Sequence, residues 1–452
     1  MKKKLGEATI IFISVVKWSV IAAIAGILVG VVVTFFLKII SWSLHLTTRF
    51  PHYYIFLPVA FFISSILTKY ISPEAEGHGT EKVIEAVHKY SGKIKANVIP
   101  VKLFTTVLTI AFGGSVGKEG PSGQIGGGVT SLISDLLKLD DTDRRKLVIC
   151  GISAGFASVF GTPIAGAIFG VEVLFVGGIL YEVLLPSIIS SIMAYYVSYT
   201  LGVTHICFNI EFASSFNIIL VIKIIIGGIL FGLVSFLLIE LMELAKYISS
   251  KIKIWSPLKG FIGGSVLIVL TIVFSSRYLR LGLDTINDAL TGKDIVWYAF
   301  IIKMIFTAIT LNFGGSGGVI TPIFFIGASS GAIFANLLQV DNVKLAAIGF
   351  VSVLAGATNT PIASCILAIE LFGIEIASYA ALSTIVSFYI TGHRSIYPSQ
   401  ILKIRKSESV YVKDGEEVSK VKMEIKPRRK SLTNFILKIG NRIGNRIYKC
   451  SK

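Results

Sequence analysis

Charge is scarce in this chain, and acid is scarcer than base. Only 15% of the 452 residues are Asp, Glu, Lys or Arg, with 26 acids against 43 bases. Soluble chains carry about 25% charged residues, so this polarity argues against a large soluble α/β protein with many buried strands. The four cysteines (Cys150, Cys207, Cys365, Cys450) are scattered and show no metal-ligand or disulfide spacing. The six histidines (His45, His52, His78, His88, His205, His393) form no HExxH or paired-ligand pattern. No small-residue cleavage site clearly closes the first apolar run, so a cleaved signal peptide is not expected. No nucleic-acid-binding module accompanies the basic charge. These absences predict a protein without metal, cofactor or nucleic-acid partner.

What the chain does contain is grease. Hydrophobic residues make up 53% of it, and its mean hydropathy is +0.78. Runs such as residues 18–36 and 218–239 are too long for buried strands. They approach or reach the roughly 20 residues that cross a bilayer as helix. The reading is an all-α, multi-pass integral membrane protein with the lipid bilayer as its partner. Several further apolar runs are too short to span alone and read as half-helices or tilted segments meeting inside the protein. The net charge of +17 is uneven: residues 403–452 hold fifteen Lys or Arg against five Asp or Glu. Basic ends stay on the cytoplasmic side. Lys2, Lys3 and Lys4 and the basic tail therefore predict both termini in the cytoplasm.

The chain also repeats itself. Phe112 opens FGGSVGKEGP and Phe313 opens FGGSGGVITP; Thr162 opens TPIAGAIFGVE and Thr360 opens TPIASCILAIE. Such duplication of a membrane unit predicts two halves, about 70–200 and 280–400, with the substrate site where their Gly-rich breaks meet. The expected domains are residues 1–402 for transport and 403–452 as a short basic tail. Within the tail, Phe435, Ile436, Ile439, Ile443 and Ile447 share one face of an amphipathic helix. Residues 408–425 read as a short hairpin turning at Asp414-Gly415.

Glycine permits tight turns and close backbone approach, although small residues also serve plain helix packing. A helix over residues 122–136 would aim its positive N-terminus at the break before it, and such an end holds an anion without a full counter-charge. Firm but releasable binding of this kind suits conduction. The second copy repeats the argument at Gly317, Gly318 and Val319. Glu119 lies where an anion would bind, and its counterpart in the second copy is Ile320. An ionised Glu119 would fill the anion site and a protonated one would vacate it, although a static first-turn acid is the plainer alternative. Lys118 either focuses anions or ties down the backbone.

These motifs resemble those of the CLC family of chloride channels and chloride/proton antiporters, over residues of about 10–405. GKEGP at 117–121 is similar to the family's gating-glutamate signature. GVITP at 318–322 resembles its GxFxP stretch, with Ile320 where phenylalanine is common. The resemblance implies a CLC-type fold of two inverted-topology repeats of tilted and broken helices. It also implies a homodimer with one anion pathway per subunit, in the cell membrane. Chloride would be bound by His78, Gly79, Gly120, Val319, Ile320 and Tyr397, with the backbone N–H of Glu119 contributing. Gly117, Lys118, Pro121, Gly318 and Pro322 would shape the selectivity loops. Glu119 would carry the proton and act as gate. His78 stands where the family often has serine, and its reference pKa of about 6.5 would make anion binding sensitive to pH.

The family's antiporters often carry a second acid in FxxEE. Here Glu172 matches the first acid, and Val173 stands at the proton-transfer position. A valine carries no proton, which favours a passive voltage- or pH-gated chloride channel, or an antiporter that reaches Glu119 through water. The retained Glu119 tips the reading toward chloride/proton antiport. Glu172 and its echo Glu370 are read as structural. Retention of Pro121 favours chloride, or a broader range of halides and nitrate, over fluoride. Too few residues follow the membrane part for the regulatory nucleotide-binding pair of many relatives. Two other classes are weaker. A membrane enzyme would use GGSVG or GGSGG as a nucleophile elbow, but neither sits in a strand-to-helix context. A cation transporter would need converging acids, for which Glu119, Glu172 and Glu370 are the candidates.

Overall fold

The computed structural model describes residues 2–205, 208, 210, 218–421, 424 and 425. Among these, the chain runs through sixteen α-helices in two matching series. The first is α1 (Lys2–Thr48), α2 (Leu57–Tyr70), α3 (Gly79–Lys89), α4 (Val98–Ala111), α5 (Glu119–Leu136), α6 (Asp141–Phe160), α7 (Pro163–Glu172) and α8 (Tyr181–Thr200). The second is α9 (Ile218–Lys251), α10 (Ser256–Val273), α11 (Leu283–Leu290), α12 (Ala299–Asn312), α13 (Ile320–Leu338), α14 (Asn342–Thr358), α15 (Pro361–Phe372) and α16 (Ala377–Ile390). A one-turn 3-10 segment precedes α3 at Pro73–Ala75 and α11 at Ser276–Tyr278. Each repeat therefore begins earlier than its Gly-rich motifs suggest, at α1 and α9. The motifs mark the interior of the repeat, where backbone approaches backbone. The long first helices are plain apolar rods whose sequence does not announce a copy.

Among the described residues, six helices are long and apolar enough to span a bilayer, α1, α9 and α13 included. The protein is a multi-pass membrane protein. The first helix shows why lipid must surround it: Phe12, Phe35 and Trp42 are exposed, while Val29, Val33 and Phe36 pack inward. Outward grease is tolerated only where the solvent is hydrocarbon.

Local signals set the helix ends. Asp140 caps α6 by accepting from Asp143 N at 2.8 Å, and Asp341 caps α14 by accepting from Lys344 N at 3.0 Å. These helices stop at left-handed residues, Gly161 and Asn359, with φ of 74° and 58°. The Thr-Pro of each echo then restarts the chain as α7 and α15, with proline in the first turn, where its missing N–H costs no helical bond. The Gly-rich helices pack backbone to backbone: Gly126 of α5 meets Gly151 of α6, and Gly327 of α13 meets Gly349 of α14, leaving no room for a Cβ. Small residues give such contact when water supplies no driving force between helices.

Beyond α16 the chain turns back onto the helical body. Strand β2 (Ile401–Leu402) pairs in parallel with β1 (Phe175–Val176), which directly follows α7. The buried Lys406 donates through Nζ to Asn359 Oδ1 and Phe388 O, both at 2.6 Å. Strands β3 (Val410–Tyr411) and β4 (Glu424–Ile425) pair antiparallel. The expected hairpin exists, but its connection is long and includes a 3-10 turn at Val418–Lys420 instead of closing at Asp414-Gly415. The amphipathic face of Phe435, Ile436, Ile439, Ile443 and Ile447 lies outside the described residues.

Candidate functional site

The two Gly-rich breaks touch. Gly117 N donates to Gly318 O and Gly318 N donates to Gly117 O, each at 2.7 Å. This reciprocal pair joins the repeats at their axis of pseudo-symmetry. Exchanged hydroxyl bonds flank it: Ser115 N donates to Thr310 Oγ1 at 3.1 Å, and Ser316 N donates to Thr109 Oγ1 at 3.0 Å. A Cβ added at Gly318 would lie 2.7 Å from Gly120 N. Glycine is required here for approach, so that the starts of α5 and α13 meet.

α5 begins at Glu119, three residues earlier than expected from sequence, and α13 begins at Ile320. Pro121 and Pro322 are the third residues of these helices and lack N–H groups of their own. The leading amides, Glu119, Gly120, Val319 and Ile320, are those a helix leaves without intrahelical partners. A third helix start joins them. His78 bridges to Gly317 in a parallel β-contact, and a Cβ on Gly79 would fall 2.5 Å from Gly120 O. The first turns of α3, α5 and α13 therefore meet in one place, where their partial positive charges favour an anion.

Glu119 is only 1% exposed, and its carboxylate sits on the start of α13. Oε1 accepts from Thr321 Oγ1 at 2.5 Å, and Oε2 accepts from Thr321 N at 3.1 Å. Both carboxylate oxygens are thus engaged by the first turn of α13. Thr321 was not foreseen; the only sequence signal was its place in the first turn of the second Gly-rich helix.

On the tail side of the site, Tyr397 is fully buried and its hydroxyl lies beside Thr80. The His78 and Tyr397 rings lie 5.7 Å apart. A cavity of about 360 Å³ opens here, and the residues lining it include His78, Met242, Glu243, Lys246, Asn312 and Pro398. Lys246, Lys102 and Lys82 bring positive charge toward His78. Lys102 is completely buried and donates through Nζ to Ala75 O at 3.1 Å and Gly77 O at 2.5 Å, fixing the turn that delivers His78. Its counterpart Lys303 holds Tyr278 O at 3.0 Å and Arg280 O at 2.9 Å ahead of α11. Sequence reading passed over both lysines.

Lys118 has no ion pair among the described residues; its carbonyl instead accepts from Ser122 N at 3.1 Å. Glu172 lies apart from this cluster. Its carboxylate accepts from Ile362 N at 3.1 Å and Ala363 N at 2.8 Å, at the start of α15. Glu370 returns the favour at the start of α7, accepting from Ile164 N at 3.1 Å and Ala165 N at 2.8 Å. Each repeat thus supplies the acid that closes a helix end in the other. Val173 is wholly buried, and its carbonyl is held by Gln400 Nε2 at 2.7 Å.

Residues 60–392 match the family described as voltage gated chloride channel. The chain belongs to the CLC family. A "Chloride/fluoride channel protein" of Pseudomonas syringae pv. tomato is 35% identical over 393 residues, covering 85% of this chain and 86% of that protein. An H+/Cl− exchange transporter of Klebsiella pneumoniae is 25% identical, covering 77% of this chain and 80% of that one. The crystal structure of a CLC-type fluoride/proton antiporter superposes with a TM-score of 0.82 at 28% identity, covering 86% of this chain and 98% of that one. The two inverted repeats are those of CLC transporters, and this CLC protein transports anions.

Proposed function

We propose that this CLC protein is a proton-coupled halide antiporter in which Glu119 is both gate and proton carrier. The observation that carries the reading is the Glu119 carboxylate seated on the Thr321 N–H and hydroxyl at the start of α13. Ionised, it competes with an anion for that helix end. Protonated, it loses the charge that holds it there, and the amides of Glu119, Gly120, Val319 and Ile320 become available to a halide. One side chain then binds a proton or yields to an anion, which is the coupling that exchange requires. His78, Gly79 and Tyr397 form the tail-side part of the same pathway, and the cavity beside them, which carries Lys246 and Glu243, feeds it. Glu172 closes a helix end and does not carry protons. The working unit is a homodimer with both termini in the cytoplasm, consistent with the basic ends.

Chloride is the substrate favoured by Pro121. Fluoride is the second reading, supported by the similarity to the Pseudomonas chloride/fluoride channel protein and to the CLC-type fluoride/proton antiporter. The test is paired flux from purified protein in liposomes. Vesicles loaded with halide should take up protons against their gradient as halide leaves. Glu119→Gln should stop proton movement and leave halide flux. A natural sequence that moves halide and no protons would make the protein a channel. Loading with fluoride or chloride in turn identifies the substrate.

A further inference from the structure

A proton that reaches Glu119 from the tail side travels through water or through residues that can hold it. Most buried ionisable groups near the site are fully engaged. Both oxygens of Glu172 and both of Glu370 accept backbone N–H groups, and Lys102 is spent on two carbonyls. Among the described residues, two titratable side chains around the anion site keep a buried polar atom without a partner: His78 Nδ1 and Glu81 Oε2.

Glu81 stands in the first turn of α3, two residues beyond Gly79. Its Oε1 accepts from Ser399 N at 3.0 Å and from Ser399 Oγ at 2.5 Å. Its Oε2 is buried and receives nothing. Ser399 adjoins Pro398, which lines the tail-side cavity. In the other direction, Thr80 faces Tyr397, and both Glu81 and Glu119 act electrostatically on the Tyr397 hydroxyl. Thr80 also reaches the start of α5: a Cβ on Gly120 would lie 3.4 Å from Thr80 Oγ1. Glu81 therefore sits between the cavity and the residues that border Glu119. On its own helix it faces Lys82 and Glu85, and Glu85 is itself paired with Lys82 at 3.1 Å and Lys89 at 3.3 Å. Across the site stand Tyr397 and His78, with Lys102 and Lys246 behind the imidazole. The Ser399 contacts use one carboxylate oxygen and leave the second buried without a partner, and an unsatisfied ionisable group inside a membrane protein points to function.

We propose that Glu81 is the tail-side proton station of the exchange cycle. Its free Oε2 takes a proton from hydronium in the cavity, forming an O–H bond as a hydronium O–H bond breaks and leaves water. That bond breaks in turn as the proton passes through water in the anion pathway to the carboxylate of Glu119. No oxidant or further reactant is consumed. The buried Val173 then needs no acid in its place, because the route enters through α3.

This inference rests on the antiport reading, and one experiment separates the two. Paired halide and proton fluxes are measured for the full chain in liposomes. The natural sequence comes first: absence of proton movement there overturns both readings. If it exchanges, Glu81→Gln tests the station, because glutamine still accepts from Ser399 but holds no transferable acid. Its proton flux should fall by about tenfold or more, with halide flux retained. Glu81→Asp should restore coupling. Ser399→Ala, which removes the hydroxyl contact and keeps the acid, should leave the proton-to-halide ratio unchanged. An unchanged ratio in Glu81→Gln overturns the proposal. So does equal loss in Ser399→Ala, which would make Glu81 an anchor for the loop. Loss in His78→Ala with normal coupling in Glu81→Gln overturns it in favour of the imidazole.

Discussion

Removing the Thr321 hydroxyl should tilt the gate. Glu119 is held at the start of α13 by the Thr321 N–H at 3.1 Å and by its Oγ1 at 2.5 Å. Thr321→Val keeps the backbone bond and the side-chain shape and deletes the shorter contact. A hydrogen bond to a charged group contributes about 1.5–3 kcal/mol. At 1.4 kcal/mol per factor of ten, the equilibrium should move toward the displaced carboxylate by about 10- to 150-fold. On the proposed mechanism the halide competes with that carboxylate for the same amides, so its apparent affinity should rise by up to the same factor. Isothermal titration of halide into purified protein reads this directly. Thr321→Ser, which keeps a hydroxyl, should bind like the natural protein. In acid, where the carboxyl is protonated in both, the difference between Val and Thr should shrink. Equal halide affinity for Val and Thr at neutral pH would refute the idea that Glu119 and the anion share this helix end.

Two other outcomes follow from the geometry. Gly318→Ala forces a Cβ to within 2.7 Å of Gly120 N and 3.2 Å of Pro121 Cδ; overpacking of this kind costs about 1–3 kcal/mol, and halide flux should fall together with the thermal midpoint in detergent. Glu172→Ala and Glu370→Ala each abandon two backbone N–H groups, at about 1–3 kcal/mol per buried unsatisfied group. Glu172 is 4% exposed and Glu370 is half-buried, so water relieves the second loss and Glu172→Ala should lower the midpoint further; the reverse order would count against a purely structural Glu172.

The duplication was legible because the contacts that need glycine are made by short motifs. FGGSVGKEGP and FGGSGGVITP mark the breaks, and the breaks touch through Gly117 and Gly318. Thr321 was not legible as the partner of Glu119, because 202 residues separate them and only the meeting of the repeats brings them together. Glu81 escaped notice for a related reason. On a short helix with Lys82, Glu85 and Lys89 it reads as one charge on a solvated face; the return of Ser399 covers it. Lys102 and Lys303 looked like ordinary interruptions of apolar runs, and their carbonyl partners appear only once the preceding turns fold back. The tail hairpin was placed in the right stretch, but its turn was not, because its register depends on the docking of Leu402 and Val412 against Val176 and Phe388.

By itself the sequence determined that the chain lives in a bilayer, that it is built twice, and that glycine marks where the two halves touch. Those properties follow from composition and from local backbone sterics, which act over a few residues. Only the tertiary structure decided which helix end Glu119 occupies, which acids are tied to backbone amides, and which one keeps a free oxygen. Those answers depend on long-range pairings between repeats, and no local pattern encodes the partner of a buried charge.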